Sequence, residues 1–211
     1  MVFSRLTDRQ LDALREIGNV GMGHAATALS QLTGKTIHLE APRVRLTDTD
    51  SMAGFLGEAE GPAVGIHLRM LGAAQGYILM VFPQENALRI LEDLLPRKLS
   101  GDGSFTDLEL SALKEVGNIL ASAYLNALGG LLRMTLIPSV PILEVDSTAK
   151  VIGSALSEFG VAGGMALMLD TEFFSRDERI SSKIFLLPAP SSLNVILNAL
   201  GIEGVQEPAM R

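Results

Sequence analysis

The chain contains no cysteine and no tryptophan among its 211 residues. Without a thiol, disulfide staples, thiolate nucleophiles and cysteine-ligated zinc are all excluded. Aromatic residues make up only 5% of the sequence, so the apolar 47% comes mostly from Ala, Leu, Ile, Val and nine Met, and these must build the core. Basic charge is scarce as well. Lys and Arg number 17 against 24 Asp and Glu, for a net charge of −7 and a sequence pI of about 5.0. No run of five basic residues occurs. A nucleic-acid binder needs a basic footprint to release counterions, so that class is excluded too.

Long apolar runs are missing. Nothing approaches the ~20 apolar residues needed to cross a bilayer. The opening stretch MVFSRLTDRQLDALREIG lacks the basic-then-apolar order of a signal peptide. The expectation is a cytoplasmic protein with no membrane insertion. His24, His38 and His67 stand apart, and none forms an HxH, HxxxH or HExxH pattern, so no metal site is expected on the chain itself. GxGxxG and P-loop patterns are absent, and Asp48-Thr49-Asp50-Ser51 reads as a capped turn without EF-hand spacing.

What the chain does have is a repeat. Shifted by 99 positions, LTDRQLDALREIGNV (6–20) aligns with FTDLELSALKEVGNI (105–119) at eight identities in fifteen, and Pro42 and Pro141 keep the same offset. A period that long, used twice, marks the duplication of a unit rather than a solenoid. At this length one domain of two similar halves and two small domains are both possible. We read one domain over 1–211, with repeat one at 6–96, a polar linker at 97–104 and repeat two at 105–202.

Each copy opens on a helix start signal. Thr7-x-x-Gln10 and Thr106-x-x-Glu109 fit a capping box, and Leu6 with Leu11 and Phe105 with Leu110 have the spacing of a hydrophobic staple. Helices are predicted from 7 to about 32 and from 106 to about 131. In the first half, KTIHLEAPRVRLT reads as a strand, GPAVGIHLRML and AAQGYILMVFP as a hairpin turned at Leu71–Gly72, and 84–96 as a short helix. In the second half, MTLIPSVPILEV, AKVIGSALSEF, GMALMLDTEFF and ISSKIFLLP read as strands, followed by a final helix, SLNVILNALG. Strands joined by short turns predict an antiparallel sheet with helices on one face, an α+β fold.

At 100° per residue, Asp12, Glu16, Asn19 and Gly23 fall within about 60° of one another, opposite Leu14, Gly21, Ala25, Ala28 and Leu32. Ser111, Glu115, Asn118 and Ser122 form the same stripe in the second copy. Packing therefore does not account for the repeated Glu and Asn. Gly18 and Gly117 lie near the buried flank, where close helix–sheet packing explains them. An Asn amide can accept from a water and donate to an oxyanion at once, which holds the water in line with a phosphorus atom. A nearby carboxylate can pair with a partner's cation and fix orientation. One member of the pair does not titrate, so this is no acid–base dyad. Two ligands are too few for a metal.

These residues resemble the motif of the CheC-type chemotaxis phosphatases, the CheC/CheX/FliY family, written Asp/Ser-x3-Glu-x2-Asn-x22-Pro. It stands here as Asp12, Glu16, Asn19, Pro42 and again as Ser111, Glu115, Asn118, Pro141. The resemblance implies a pseudo-twofold domain with a central antiparallel sheet and two long surface helices that bear the sites. It implies hydrolysis of the aspartyl phosphate of a CheY-type response regulator, which terminates or adapts the chemotaxis signal. Asn19 and Asn118 would orient the water, and Glu16 and Glu115 would pair with the regulator's Lys. Asp12 and Ser111 would contribute to binding. The chain would need no cofactor of its own, because the Mg2+ ion belongs to the regulator, and CheD is an implied second partner. Both prolines are expected to be structural. The absence of a further switch domain within the 211 residues favours a freestanding two-site CheC. Two rival readings stand beside the enzyme: a non-catalytic adaptor for CheD or phosphorylated CheY, and a flagellar-switch component.

Overall fold

The computed structural model describes residues 7–39, 43–56, 61–95, 104–160, 165–175 and 178–202. The first half runs α1 (Asp8–Thr33), β1 (Ile37–Leu39), β2 (Arg43–Asp48), a 3-10 helix (Thr49–Leu56), β3 (Pro62–Gly72), β4 (Gly76–Pro83) and α2 (Gln84–Leu94). The second half runs α3 (Asp107–Leu132), β5 (Leu136–Pro138), β6 (Ile142–Ser147), α4 (Thr148–Phe159), β7 (Met165–Ser175), β8 (Glu178–Pro188) and α5 (Pro190–Ala199). No helix among the described residues is long and apolar enough to cross a membrane.

Among the described residues, eight strands form one antiparallel sheet in the order β1-β7-β8-β4-β3-β5, with β2 also on β7 and β6 also on β3. Exchanging the halves, β1 for β5 through β4 for β8, reproduces that order. The pseudo-twofold therefore passes between β4 and β8, where Leu79 pairs with Phe185. The halves also trade strands. β1 and β2 pair with the second half's β7, and β5 and β6 pair with the first half's β3.

Both faces of the sheet are covered, which corrects the expectation of helices on one side. Alternate strand residues point to opposite faces. Ile66, Leu68, Ile78, Met80 and Leu186 meet the inward sides of α1 and α3, with Ile90 of α2 and Leu197 of α5. Leu79, Val81, Phe185 and Leu187 meet Met52 of the 3-10 helix and Val151, Ile152, Ala155 and Phe159 of α4. AKVIGSALSEF is thus not a strand. Its apolar residues recur at helical spacing, and that period outweighs the β-branched Val151 and Ile152. α4 can approach β3 because Gly65 has no side chain: a Cβ there would overlap Val151 Cγ1.

Three further expectations shift. β3 continues through Leu71, opposite Ile137, and Gly72, opposite Leu136, so the hairpin reverses over Ala73–Gln75 instead. Gly72 has a φ of 112, and a Cβ on it would collide with the Thr135 carbonyl oxygen. The segment 134–145 splits at Ser139–Pro141 into β5 and β6, and β1 and β2 divide the corresponding first-half segment. Asp48 ends β2 and Thr49–Leu56 is a 3-10 helix rather than a simple turn. Leu6, Pro42 and the linker positions 97–103 lie outside the described residues.

Candidate functional site on two long helices

The two helices are built alike. Thr7 Oγ1 accepts from the Gln10 N–H at 3.3 Å while the Thr7 N–H donates to Gln10 Oε1 at 2.8 Å. Thr106 and Glu109 repeat the exchange at 3.4 and 2.7 Å. Each box satisfies two backbone N–H groups that lack a helical acceptor. It also sets the phase. Both helices are 26 residues long, and the motif Glu follows its capping Thr at the same offset in each. The same face is therefore turned to the core twice.

That inward face carries Leu14, Ile17, Gly18 and Gly21 on α1, and Leu113, Val116, Gly117 and Leu120 on α3, all buried. A fully buried Leu or Ile contributes roughly 1.5–3 kcal/mol, against about 1 kcal/mol lost for a helical Gly. Burial wins, and the glycines serve it. A Cβ on Gly117 would come within 2.5 Å of Ile66 Cγ2 on β3, so Gly117 lets α3 lie close on the sheet. Gly21 meets the ring of Tyr124, where α1 packs on α3. Burial pushes the Tyr124 phenol well above its ordinary pKa.

The opposite face carries the motif. Asp12, Glu16 and Asn19 are exposed on α1; Ser111 and Glu115 are exposed on α3, with Asn118 half-buried. Among the described residues the side chains of Glu16, Asn19, Glu115 and Asn118 take part in no hydrogen bond or ion pair. Among those residues two carboxylates and two amides are thus left unengaged, each pair one helical turn apart. Asp12 is different: its Oδ1 accepts from Arg15 Nη1 at 2.8 Å. The sequence reading missed this ion pair, although an i,i+3 spacing of opposite charges announces it. Ser111 and Lys114 hold the corresponding places on α3, where no such pair can form. Among the described residues, no three His, Asp or Glu side chains are grouped to hold a metal ion.

Such a surface can hydrogen-bond to a water and an oxyanion through Asn and meet a cation through Glu. The chemistry it fits is the orientation of a reagent supplied by another molecule.

The CheC-like family matches residues 10–45 and 108–145, the two windows that contain the motif copies. The CheY-P phosphatase CheC of Bacillus subtilis (strain 168) is 35% identical over 204 residues, covering 95% of this chain and 98% of that protein. Among solved structures, Thermotoga maritima FliY superposes with a TM-score of 0.75 at 20% identity, covering 93% of this chain and 98% of that one. A chain of the CheX-CheY-BeF3-Mg+2 complex from Borrelia burgdorferi reaches a TM-score of 0.53 at 17% identity, covering 80% and 96%. The structural matches establish the shared fold. The identity to CheC, carried along nearly the whole chain, establishes that this protein belongs to the CheC-like family.

Proposed function

We propose that the chain is a protein-aspartyl-phosphate phosphatase acting on a phosphorylated CheY-type response regulator. The observation that carries this reading is the unengaged Glu-x-x-Asn pair on the outward face of both long helices. Each pair would dock against the regulator's phosphorylation site, Glu16 or Glu115 meeting a lysine there. Asn19 or Asn118 would hold a water in line with phosphorus. The water oxygen attacks phosphorus, the phosphorus–oxygen bond to the aspartate breaks, the aspartate leaves as carboxylate and phosphate is released. In this reading the Mg2+ ion sits on the regulator, where it offsets charge on the phosphoryl oxygens. Asp12 and Ser111 border the contact, and a CheD-type deamidase is a second partner. The name of the Bacillus subtilis relative, a CheY-P phosphatase, supports the substrate class. The CheX-CheY complex supports a mode in which this fold meets such a regulator directly.

The test is phosphate release from a phosphorylated CheY-type regulator. Asn19→Ala and Asn118→Ala should each remove the turnover of one site. Together they should lower the rate by about a hundredfold or more, the scale of losing one aligned polar group at a reacting centre. A double variant with the wild-type rate excludes the mechanism. A wild-type protein that binds the phosphorylated regulator without turnover is instead the adaptor.

A further inference from the structure

Each long helix carries a cation immediately before the motif Glu: Arg15 on α1 and Lys114 on α3. Four residues on, one helical turn away, stand Asn19 and Asn118. The two cations are placed alike and held differently. Arg15 is paired to Asp12 at 2.8 Å. Lys114 is exposed, and its helix neighbours at three and four residues are Leu110, Ser111, Gly117 and Asn118, none of them acidic. Among the described residues Lys114 makes no ion pair.

The partner's phosphorylated site is anionic, since a phosphoryl group carries about −1.5 to −2 charge. This chain carries −7, so an unpaired cation beside the site stands out against a repelling surface. From this contrast we infer that Lys114 is a specificity-determining contact of the second site, engaging the anionic rim of the phosphorylated partner. We infer further that the first motif position sets whether the cation three residues later is available: Asp12 occupies Arg15, and Ser111 leaves Lys114 free. The inference rests on the phosphatase reading of the same surface. Exposed ion pairs are worth about 0.2–1 kcal/mol, so the difference amounts to at most about a fivefold change in partner capture rather than an on–off switch. It is carried by charges at the surface and is therefore screened by salt.

The experiment isolates each site: Asn118→Ala reads the first alone, and Asn19→Ala reads the second. In the second-site protein, Lys114→Ser should lower kcat/KM about threefold at low ionic strength, through KM with kcat unmoved. Ser111→Asp should lower it similarly, and Lys114→Ser added on top should cost much less, because the cation is already engaged. In the first-site protein, Asp12→Ser should raise kcat/KM by about the same factor. All four differences should vanish at high salt, and the thermal transition of each variant reports on folding. Equal costs of Lys114→Ser with and without the Ser111→Asp change, an effect on kcat, or persistence in high salt would overturn the inference while leaving the phosphatase reading intact. A double Asn19→Ala, Asn118→Ala variant with unaltered turnover would sink the phosphatase reading, and this inference with it.

Discussion

Gly21 of α1 lies flat against Tyr124 of α3: a Cβ built on Gly21 would stand 2.5 Å from both Cδ2 and Cε2 of the ring. The two helices that carry the motif meet at a point where one has no side chain and the other has a large one. Gly21→Ala would force the ring or the helix to move. Overpacking a tight interior costs about 1–3 kcal/mol, and the better helix propensity of Ala returns up to about 1 kcal/mol. We expect a net loss of about 1–2 kcal/mol in urea denaturation. No loss at all would mean that the two helices slide freely past this contact.

Tyr124 gives the opposite expectation. Its hydroxyl is buried and has no hydrogen-bond partner among the described residues. An unsatisfied buried polar group costs about 1–3 kcal/mol. Tyr124→Phe keeps the ring against Gly21 and removes that cost, so it should be neutral or stabilising by up to about 1 kcal/mol. The phenol's raised pKa adds a sign. Above pH ~10 the unfolded chain loses a proton that the folded chain keeps, so wild-type stability falls as pH rises past that point. The Phe variant should fall less steeply. A clear loss of stability at neutral pH would reveal a partner for the hydroxyl.

His67 on β3 sets an expectation for behaviour in acid. It is buried, its Nε2 lies 3.6 Å from Glu158 Oε2 on α4, and the Phe159 ring centroid is 5.2 Å away. Burial lowers its pKa, and Glu158 with Glu144 of β6 offsets part of that shift. Between the unfolded value near 6.5 and the lower folded value, the unfolded chain binds more protons. Stability therefore drops as pH falls below about 6.5 and levels off below the folded pKa. Comparing denaturation midpoints at pH 7.5 and 5.5, His67→Gln should show a smaller drop than wild type. An identical drop in both proteins would assign the acid sensitivity to carboxylates elsewhere.

Lys35, after α1, pairs with Asp93 on α2. The carboxylate is 8% exposed, and its Oδ2 has no hydrogen-bond partner among the described residues. Lys35→Met would leave a nearly buried charge without this cation, a cost of about 1–3 kcal/mol. At this chain size the Tm should fall by roughly 2–12 °C. Pairing Lys35→Met with Asp93→Asn should recover part of the loss, since the orphaned charge is gone. A double variant no more stable than the single one would show that packing of the lysine stem, not its charge, does the stabilising.

The long helices were legible because their signals are local. A capping box and a 3.6-residue period concern neighbours in sequence, and α1 and α3 fall within a residue of their expected ends. α4 was read as a strand because Val151 and Ile152 favour one by propensity, although Val151, Ile152, Ala155 and Phe159 keep helical spacing; its close seat on β3, which Gly65 permits, involves a distant strand and was not legible. The outward stripe of Glu16, Asn19 and Glu115 followed from periodicity alone, whereas the partial burial of Asn118 did not.

By itself the sequence determined the duplication, the phase of each motif and the class of chemistry those side chains allow. Periodicity and residue type carry that information with no reference to the rest of the chain. Only the tertiary structure decided that each half lends its first strands to the other and that the sheet is covered on both faces. It alone showed the two motif helices meeting at Gly21 and Tyr124. Those outcomes depend on strand pairing and side-chain volume between residues far apart in the chain. They are settled by which arrangement buries the most apolar surface without a clash.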